Sequence, residues 1–242
     1  MRMARSVVVG VLCIAAAAAS AQTAEELVAK NLQARGGVEK IKAVNTLKMA
    51  GKVYVGINAD FSQDQKRSNM IRQNFTVQGM TEIEAYDGSV GWKISPFEGR
   101  KDAEMLGEDD MRDLVEDADI DGPLVDYQAK GNKVEYLGHD LVDGDDAYKL
   151  KVTLKNGDLV YYYLDPDTYL EIKKEKQQFI RGSVRESEQL LGSYKEVSGV
   201  YYPFSIEAGS KGGGDHARYT IESIVVNTPI EDSYFKMPAA KK

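Results

Sequence analysis

The chain has 242 residues, of which 43% are hydrophobic and 9% aromatic, and its formal net charge at pH 7 is −7. This composition is typical of a folded globular protein and excludes low-complexity and collagen-like chains. The negative charge argues against a nucleic-acid-binding protein, which needs a concentrated basic surface. An anionic membrane surface is a poor partner for the same reason.

The first 21 residues have the pattern of a secretory signal. Arg2 and Arg5 precede a thirteen-residue apolar run from Val7 to Ala19, and the small residues Ser20 and Ala21 follow it. The order is typical of a cleaved signal peptide, and the run is shorter than the ~20 residues of a membrane-spanning helix. We therefore expect cleavage after residue 21, secretion across the inner membrane and no stable membrane anchor. The mature chain, 22–242, would then contain no cysteine, which excludes disulfides, thiolate catalysis and cysteine metal sites.

The mature sequence is expected to begin with a helix that is broken early. Thr23 and Glu26 have the spacing of a capping box, and Ala24, Leu27 and Leu32 fall on one helical face. Gly36-Gly37 supplies the backbone freedom that ends a helix, and a second short helical segment is predicted over 38–43.

Most of the remaining chain is predicted to be strand. Between Thr46 and Ile57 apolar and polar residues alternate, which indicates a strand with one buried face. Further strands are predicted at 69–77, 80–86, 91–94, 133–138, 147–154, 159–164, 170–178, 186–195, 200–207 and 217–226. Tight-turn residues separate many of them, as in an antiparallel meander. We find no repeat or linker that divides residues 22–242, so a single domain is predicted.

One helix is predicted to interrupt the strands. Met111, Leu114, Val115 and Ala118 occur at i, i+3, i+4 and i+7, and the residues between them are largely acidic. The acidic residues 108–110 are expected in its first turn, where they favour the helix dipole. Gly122-Pro123 is expected to end this segment.

Catalytic motifs are weak. The chain has two histidines, His139 and His216, and it lacks a Gly-x-Ser-x-Gly sequence, so a Ser-His-Asp triad is disfavoured. A hydrolase that uses dispersed carboxylates is left open, because 38 acidic residues make carboxylate pairs uninformative. It would need a cleft that contains a strongly perturbed acid pair.

The segment that begins at Asp117 resembles the start of a calcium-binding loop. Asp117, Asp119 and Asp121 alternate and are followed by Gly122, but the twelfth position is Gln128 where such loops have a bidentate Glu. We favour an acidic helix end followed by a Gly-Pro stop over a metal site. Whether calcium ever binds these residues is left open.

The predicted strand at 159–164 is apolar or amphipathic on both faces, which indicates that something covers each side of the sheet. Helices laid over a curved sheet would enclose a cavity. The alternative is that they complete a solid core. The sequence pattern favours neither, because it reports burial and not empty volume.

The mature sequence resembles the periplasmic lipoprotein-carrier superfamily typified by LolA and LolB, in the branch described as outer-membrane lipoprotein-sorting proteins. The resemblance extends over most of residues 23–238. It rests on Tyr86-Asp87-Gly88 with Trp92, on residues 121–127, on Tyr148-Lys149-Leu150, on Tyr163-Leu164-Asp165, on Thr168-Tyr169-Leu170, and on residues 199–203, 227–230 and 235–238.

The resemblance implies a mainly β (α+β) fold, in which a curved antiparallel sheet forms an incomplete barrel closed by helices. It implies a monomeric, non-enzymatic carrier or sensor without a cofactor, which binds a lipoprotein or lipid-like ligand and exchanges it with inner- and outer-membrane sorting proteins. The alternative is an envelope protein-interaction module with a solid core and no ligand. The residues expected to line the cavity and its lid are Val53, Val55, Trp92, Met111, Leu114, Val115, Leu124, Tyr161 and Ile172.

Overall fold

The computed structural model describes residues 22–239, so the predicted signal peptide lies outside the described residues. Within this range the α-helices are α1 (Ala24–Ala34), α2 (Val38–Lys42) and α3 (Arg112–Asp117), and 3₁₀ turns occur at Pro96–Glu98 and Asp232–Tyr234. The capping box of α1 is confirmed. The Glu26 amide donates to the Thr23 hydroxyl at 3.2 Å, and the Thr23 amide donates to the Glu26 carboxylate at 3.1 Å.

The described residues form fifteen strands. These are β1 (Thr46–Tyr54), β2 (Asn58–Lys66), β3 (Met70–Val77), β4 (Met80–Tyr86), β5 (Gly91–Ile94), β6 (Glu104–Met105), β7 (Lys133–Val142), β8 (Asp145–Thr153), β9 (Leu159–Leu164), β10 (Glu171–Ile180), β11 (Ser183–Gly192), β12 (Lys195–Val197), β13 (Val200–Tyr202), β14 (Ser205–Ser210) and β15 (Ala217–Val226).

Thirteen strands form one antiparallel sheet, in the order β6-β5-β4-β3-β2-β1-β15-β14-β11-β10-β9-β8-β7, and β12 pairs with β13 in a separate hairpin. The edge strands β6 and β7 do not pair with each other, so the curved sheet is an incomplete barrel. The predicted mainly β, antiparallel fold is confirmed. The two halves of the sheet meet at β1, where the last strand, β15, pairs with the first.

The main core lies between the helices and one face of the sheet, here called the inner face. Leu27 and Leu32 of α1 belong to the same buried cluster as Val53 of β1 and Leu150 of β8. Opposite residues of antiparallel strands share a face. The register therefore assigns the other inner-face residues strand by strand, including Val160 of β9, which lies opposite Lys176.

The opposite, outer face is covered in part by the C-terminal segment, residues 227–238. The indole N–H of Trp92 donates to the carbonyl oxygen of Phe235 at 2.8 Å, and both side chains are fully buried. The Tyr234 hydroxyl donates to Asp64 at 2.7 Å, and the guanidinium of Arg72 stacks 4.5 Å from the Tyr234 ring. These contacts fasten the end of the chain across β2 to β5.

The structure differs from the sequence predictions in one unpredicted strand and in two sets of boundaries. Strand β2 was not predicted, because its sequence is mostly polar and lacks clear alternation. The predicted strands 186–195 and 200–207 are each divided, so that β12 and β13 leave the main sheet. Helix α3 begins only at Arg112, so residues 108–110 lie in the turn before it and not in its first turn.

Candidate ligand-binding cavity

A cavity of about 1120 Å³ lies between α3 and the inner face of β9, β10, β11, β14 and β15. Ten of its 23 lining residues are charged, six of them acidic and four basic. The cavity is thus more polar than the apolar pocket expected from the sequence. Its volume is slightly above the roughly 300–1,000 Å³ of typical small-molecule sites.

Helix α3 is held over the sheet by ion pairs. The ammonium of Lys176 on β10 lies 3.1 Å from Asp113 and 2.9 Å from Glu116, both on α3. Arg112 lies 2.8 Å from the buried Asp158, and Gln65 of β2 donates to the main-chain oxygen of Asp117. The carboxylates of one turn of α3 thus face cations of the sheet, which fixes the position of the helix over the cavity.

The environment of Lys176 keeps its ammonium charged. Burial disfavours the charge of Lys176, but Glu116, Asp117 and Asp113 outweigh it and raise its pKa above the ordinary value. Burial raises the pKa of Glu116, and Lys176 offsets only part of that rise. For Asp113 burial is outweighed by Lys176, so its pKa is lowered. Lys176 therefore remains a cation at neutral pH.

An apolar strip runs beside the charged part of the inner face. The rings of Phe61, Phe75 and Tyr219 meet at centroid distances of 5.1–6.5 Å. Tyr219 also lines the cavity, as does Val55, whose side chain is 53% exposed. Since Phe75 and Tyr219 are only half-buried, the strip retains accessible aromatic surface. The inner face is therefore amphipathic, with apolar and charged surface side by side.

The nine residues expected to line a cavity are not brought together. Val55 alone of the nine borders the large cavity, and Leu124 borders a smaller groove of about 540 Å³ beside α1. Val53 is buried in the main core. The register places Trp92 on the outer face, opposite Ala85 and Arg72. The lining of the large cavity also lacks the other five residues, which are Met111, Leu114, Val115, Tyr161 and Ile172.

The residues expected in the lid lie on or near α3, whereas Tyr161 and Ile172 lie on the outer face of the sheet. Leu114 is buried against Ile71 of β3 in a small cluster on the inner face, whereas Val115 on the same helix is exposed. Met111 is half-buried against Gly91, where a Cβ on the glycine would lie 2.9 Å from the Met111 Cβ. By contrast, Tyr161 and Ile172 pack with Tyr163 in a separate cluster. This cluster lies on the outer face, because Tyr161 and Tyr163 alternate along β9 with inner-face residues.

The charged residues of the cavity were not among those predicted from the sequence. Lys174 and Lys176 lie on β10 opposite Tyr162 and Val160, two buried inner-face residues of β9. The alternation of β9 could have identified this face, but the run Lys173-Lys174-Glu175-Lys176 contains no apolar residue that would mark an inner face. The pairing of β10 with β9, whose inner face is buried, is the feature that places these lysines on the inner face.

Two of the three alternating carboxylates of the calcium-like segment, Asp119 and Asp121, are paired with protein cations. Asp121 accepts two hydrogen bonds from the guanidinium of Arg67, at 2.7 and 2.9 Å, and Asp119 pairs with Lys130. Within residues 22–239 no group of three or more His, Cys, Asp or Glu side chains is arranged to hold a metal ion. These contacts explain the alternating acids as anchors of the loop that follows α3.

Asp121 is expected to make the protein less stable in acid. Burial opposes its charge, but the bonds from Arg67 lower its pKa below the ordinary value. A lowered folded-state pKa stabilises the fold above the unfolded-state pKa, and this contribution is lost as the pH falls through the folded value. We expect Asp121→Asn to cost about 1–2 kcal/mol at neutral pH.

Urea unfolding at several pH values checks this expectation. The difference between wild type and Asp121→Asn should shrink as the pH falls from about 5 through the lowered folded-state pKa, because the carboxylate takes up a proton. Asp102→Asn, on an exposed loop, is the matched control and should show no difference. A cost for Asp121→Asn that does not change with pH would contradict the ion-pair explanation.

Solved structures of low sequence identity share the fold. An outer membrane lipoprotein-sorting protein domain from Vibrio parahaemolyticus is 12% identical with a TM-score of 0.59, over 87% of this chain and 94% of that one. A LolA superfamily protein from Nitrosomonas europaea is 12% identical with a TM-score of 0.58, over 89% and 98%. A DUF1329 family protein from Desulfovibrio piger is 13% identical with a TM-score of 0.50, over 88% and 97%.

The similarity is one of fold, since the identities are low. No protein-family model matches the sequence, and no curated protein matches it significantly. None of the helices described within residues 22–239 has the length and apolar character to cross a membrane. Fold does not by itself specify function, which has to be argued from the site.

Proposed function

We propose, on the premise that the chain has a LolA-like fold, that it is a periplasmic, non-enzymatic carrier or sensor of an amphiphile. Its ligand would be the acyl chain of a lipoprotein or of another lipid-like molecule. The apolar chain would lie along the strip of Phe75 and Tyr219, with its polar end in the charged cavity under α3.

The amphipathic inner face is the observation that carries the proposal. Accessible aromatic surface at Tyr219 lies beside a cavity of about 1120 Å³ that a short helix covers. Transfer of an acyl chain from water to such a surface is favourable by roughly 0.8 kcal/mol for each buried CH₂ group. A carrier therefore needs an apolar strip and a cover that opens, and it needs no catalytic residue.

Filling the cavity should abolish binding. Ala208 lies on the inner face of β14 and lines the cavity, and we expect Ala208→Trp to occupy volume that the ligand requires. A fluorescent fatty-acyl probe should bind the wild-type protein and lose at least about tenfold in affinity, or about 1.4 kcal/mol, for the variant.

Val184→Trp is the matched control, because Val184 is exposed on the outer face of the neighbouring strand β11. It should bind the probe like the wild type. Equal binding by wild type and both variants would place the probe elsewhere. Absence of binding to the wild type would favour the alternative, an interaction module that has no small ligand.

A further inference from the structure

Among the charged cavity residues on α3 and on the inner face of the sheet, two have no partner within residues 22–239. Lys174 on β10 and Asp117 at the end of α3 both line the cavity, and neither side chain makes an ion pair or a hydrogen bond within that range. Asp117 keeps accessible surface although protein atoms surround its carboxylate, and Lys174 is half-buried, so a ligand in the cavity can reach both.

Their neighbours are occupied. Lys176 is paired with Asp113 and Glu116, and Arg185 lies 3.7 Å from Asp113. The remaining ammonium and carboxylate groups are close enough to influence each other: burial raises the pKa of Asp117, while the charges of Lys176 and Lys174 lower it. Lys174 and Asp117 are thus an unpaired cation and an unpaired anion that share one cavity.

The charges around the two groups disfavour a ligand with a single charge. An anion at Lys174 would meet Asp117 and Glu116 as like charges, and a cation at Asp117 would meet Lys174 and Lys176. Like charges in a cavity with restricted water cost free energy, and complementary charges offset it. A ligand that carries both signs would satisfy both groups and repel neither.

We propose that the amphiphile bound on the inner face has a zwitterionic head group, with its ammonium at Asp117 and its phosphate at Lys174. The apolar chain would leave the head group toward Val55 and Tyr219, which line the same cavity. This inference rests on the proposed function, because it specifies the head group of that ligand.

Three lauroyl lipids with one chain in common separate the contributions. Lauroyl-lysophosphatidylethanolamine is zwitterionic, lauroyl-lysophosphatidylglycerol has the phosphate without the ammonium, and monolauroylglycerol has neither. Their affinities are measured below the micelle concentration by calorimetry on the mature protein. We expect the zwitterionic lipid to bind about tenfold more tightly than either of the others, since charged hydrogen bonds are the stronger ones.

The variants assign each charge. Asp117→Asn should remove the preference for the ethanolamine lipid over the glycerol phospholipid, and Lys174→Met should bring both phospholipids toward the affinity of monolauroylglycerol. Asp117→Glu and Lys174→Arg should restore part of the preference. Asp102→Asn and Lys133→Met, at exposed positions away from the cavity, should leave all three affinities unchanged. Circular dichroism of each variant verifies folding.

Free phosphoethanolamine distinguishes the head group from the whole amphiphile. It should compete weakly with the lipid, because it lacks the chain. Equal affinities for the three lipids would overturn the inference about the head group and leave the proposed function standing. Absence of binding by all three would overturn both. A preference that persists in Asp117→Asn and in Lys174→Met would also overturn the inference.

Discussion

Leu114→Asp is expected to detach α3 from the sheet and to abolish ligand retention. Leu114 is 3% exposed and packs with Ile71 and Ala118 in a small cluster that is separate from the main core. An aspartate there would place a carboxylate in an apolar site without a partner, at a cost of several kcal/mol. Because the main core does not include this cluster, we expect the sheet to remain folded while α3 opens.

Hydrogen exchange and ligand retention together measure this effect. Amides in residues 112–118 should lose protection, whereas those of β1 and β8 should keep it. Retention of a bound acyl probe should fall at least about tenfold. Val115→Asp is the matched control, since Val115 is 37% exposed on the same helix. If folded Leu114→Asp retains the acyl probe as well as the wild type does, the assignment of α3 as the cover of the cavity is contradicted.

Trp92→Ala is expected to be the most destabilising single substitution considered for this protein. The Trp92 side chain is 1% exposed, and its N–H donates to the Phe235 carbonyl at 2.8 Å. Removing the ring leaves a cavity, frees a buried acceptor and unfastens the C-terminal segment. We expect the free energy of unfolding to fall by about 3–5 kcal/mol.

Two further variants separate packing from the hydrogen bond. Trp92→Phe keeps most of the ring and loses the donor, so it should cost about 1–3 kcal/mol. Phe97→Ala, at a side chain that is 45% exposed, should cost far less than Trp92→Ala. Denaturant unfolding measures all three. Because Trp92 lies on the outer face, folded Trp92→Phe should bind an acyl probe with wild-type affinity. A loss of affinity would indicate that Trp92 contributes to the ligand site.

The fold could be predicted largely from alternation, and the site could not. The capping box at Thr23 and the strand from Thr46 follow from local rules that the structure obeys. Strand β2 could not be predicted, because its inner-face side chains include the polar Gln63 and Gln65. These side chains meet polar groups under α3, so the inner face of β2 does not require an apolar residue at each position. Local pattern reports apolar burial and misses polar burial.

The expected lining residues are spread over both faces of the sheet for a second reason. Apolar side chains were assigned to the cavity, but a one-residue change of parity moves a side chain to the other face. Trp92 and Tyr161 are therefore on the outer face, although both are apolar in strands that also have an inner face. The groups that do line the cavity, such as Lys174 and Asp117, could be recognised only once the register had placed β10 beside β9 and under α3.

Native mass spectrometry with organic extraction tests the central claim most directly. The mature protein is purified from a bacterial periplasm without detergent, beside the Ala208→Trp variant as the control with a filled cavity. We predict a reproducible bound mass on the wild type, which extraction identifies as an acyl-containing molecule, and a much reduced amount on the variant. A wild-type protein that is free of bound mass, and stays so after incubation with lipids and lipopeptides, would contradict the carrier account and leave a likeness of fold alone.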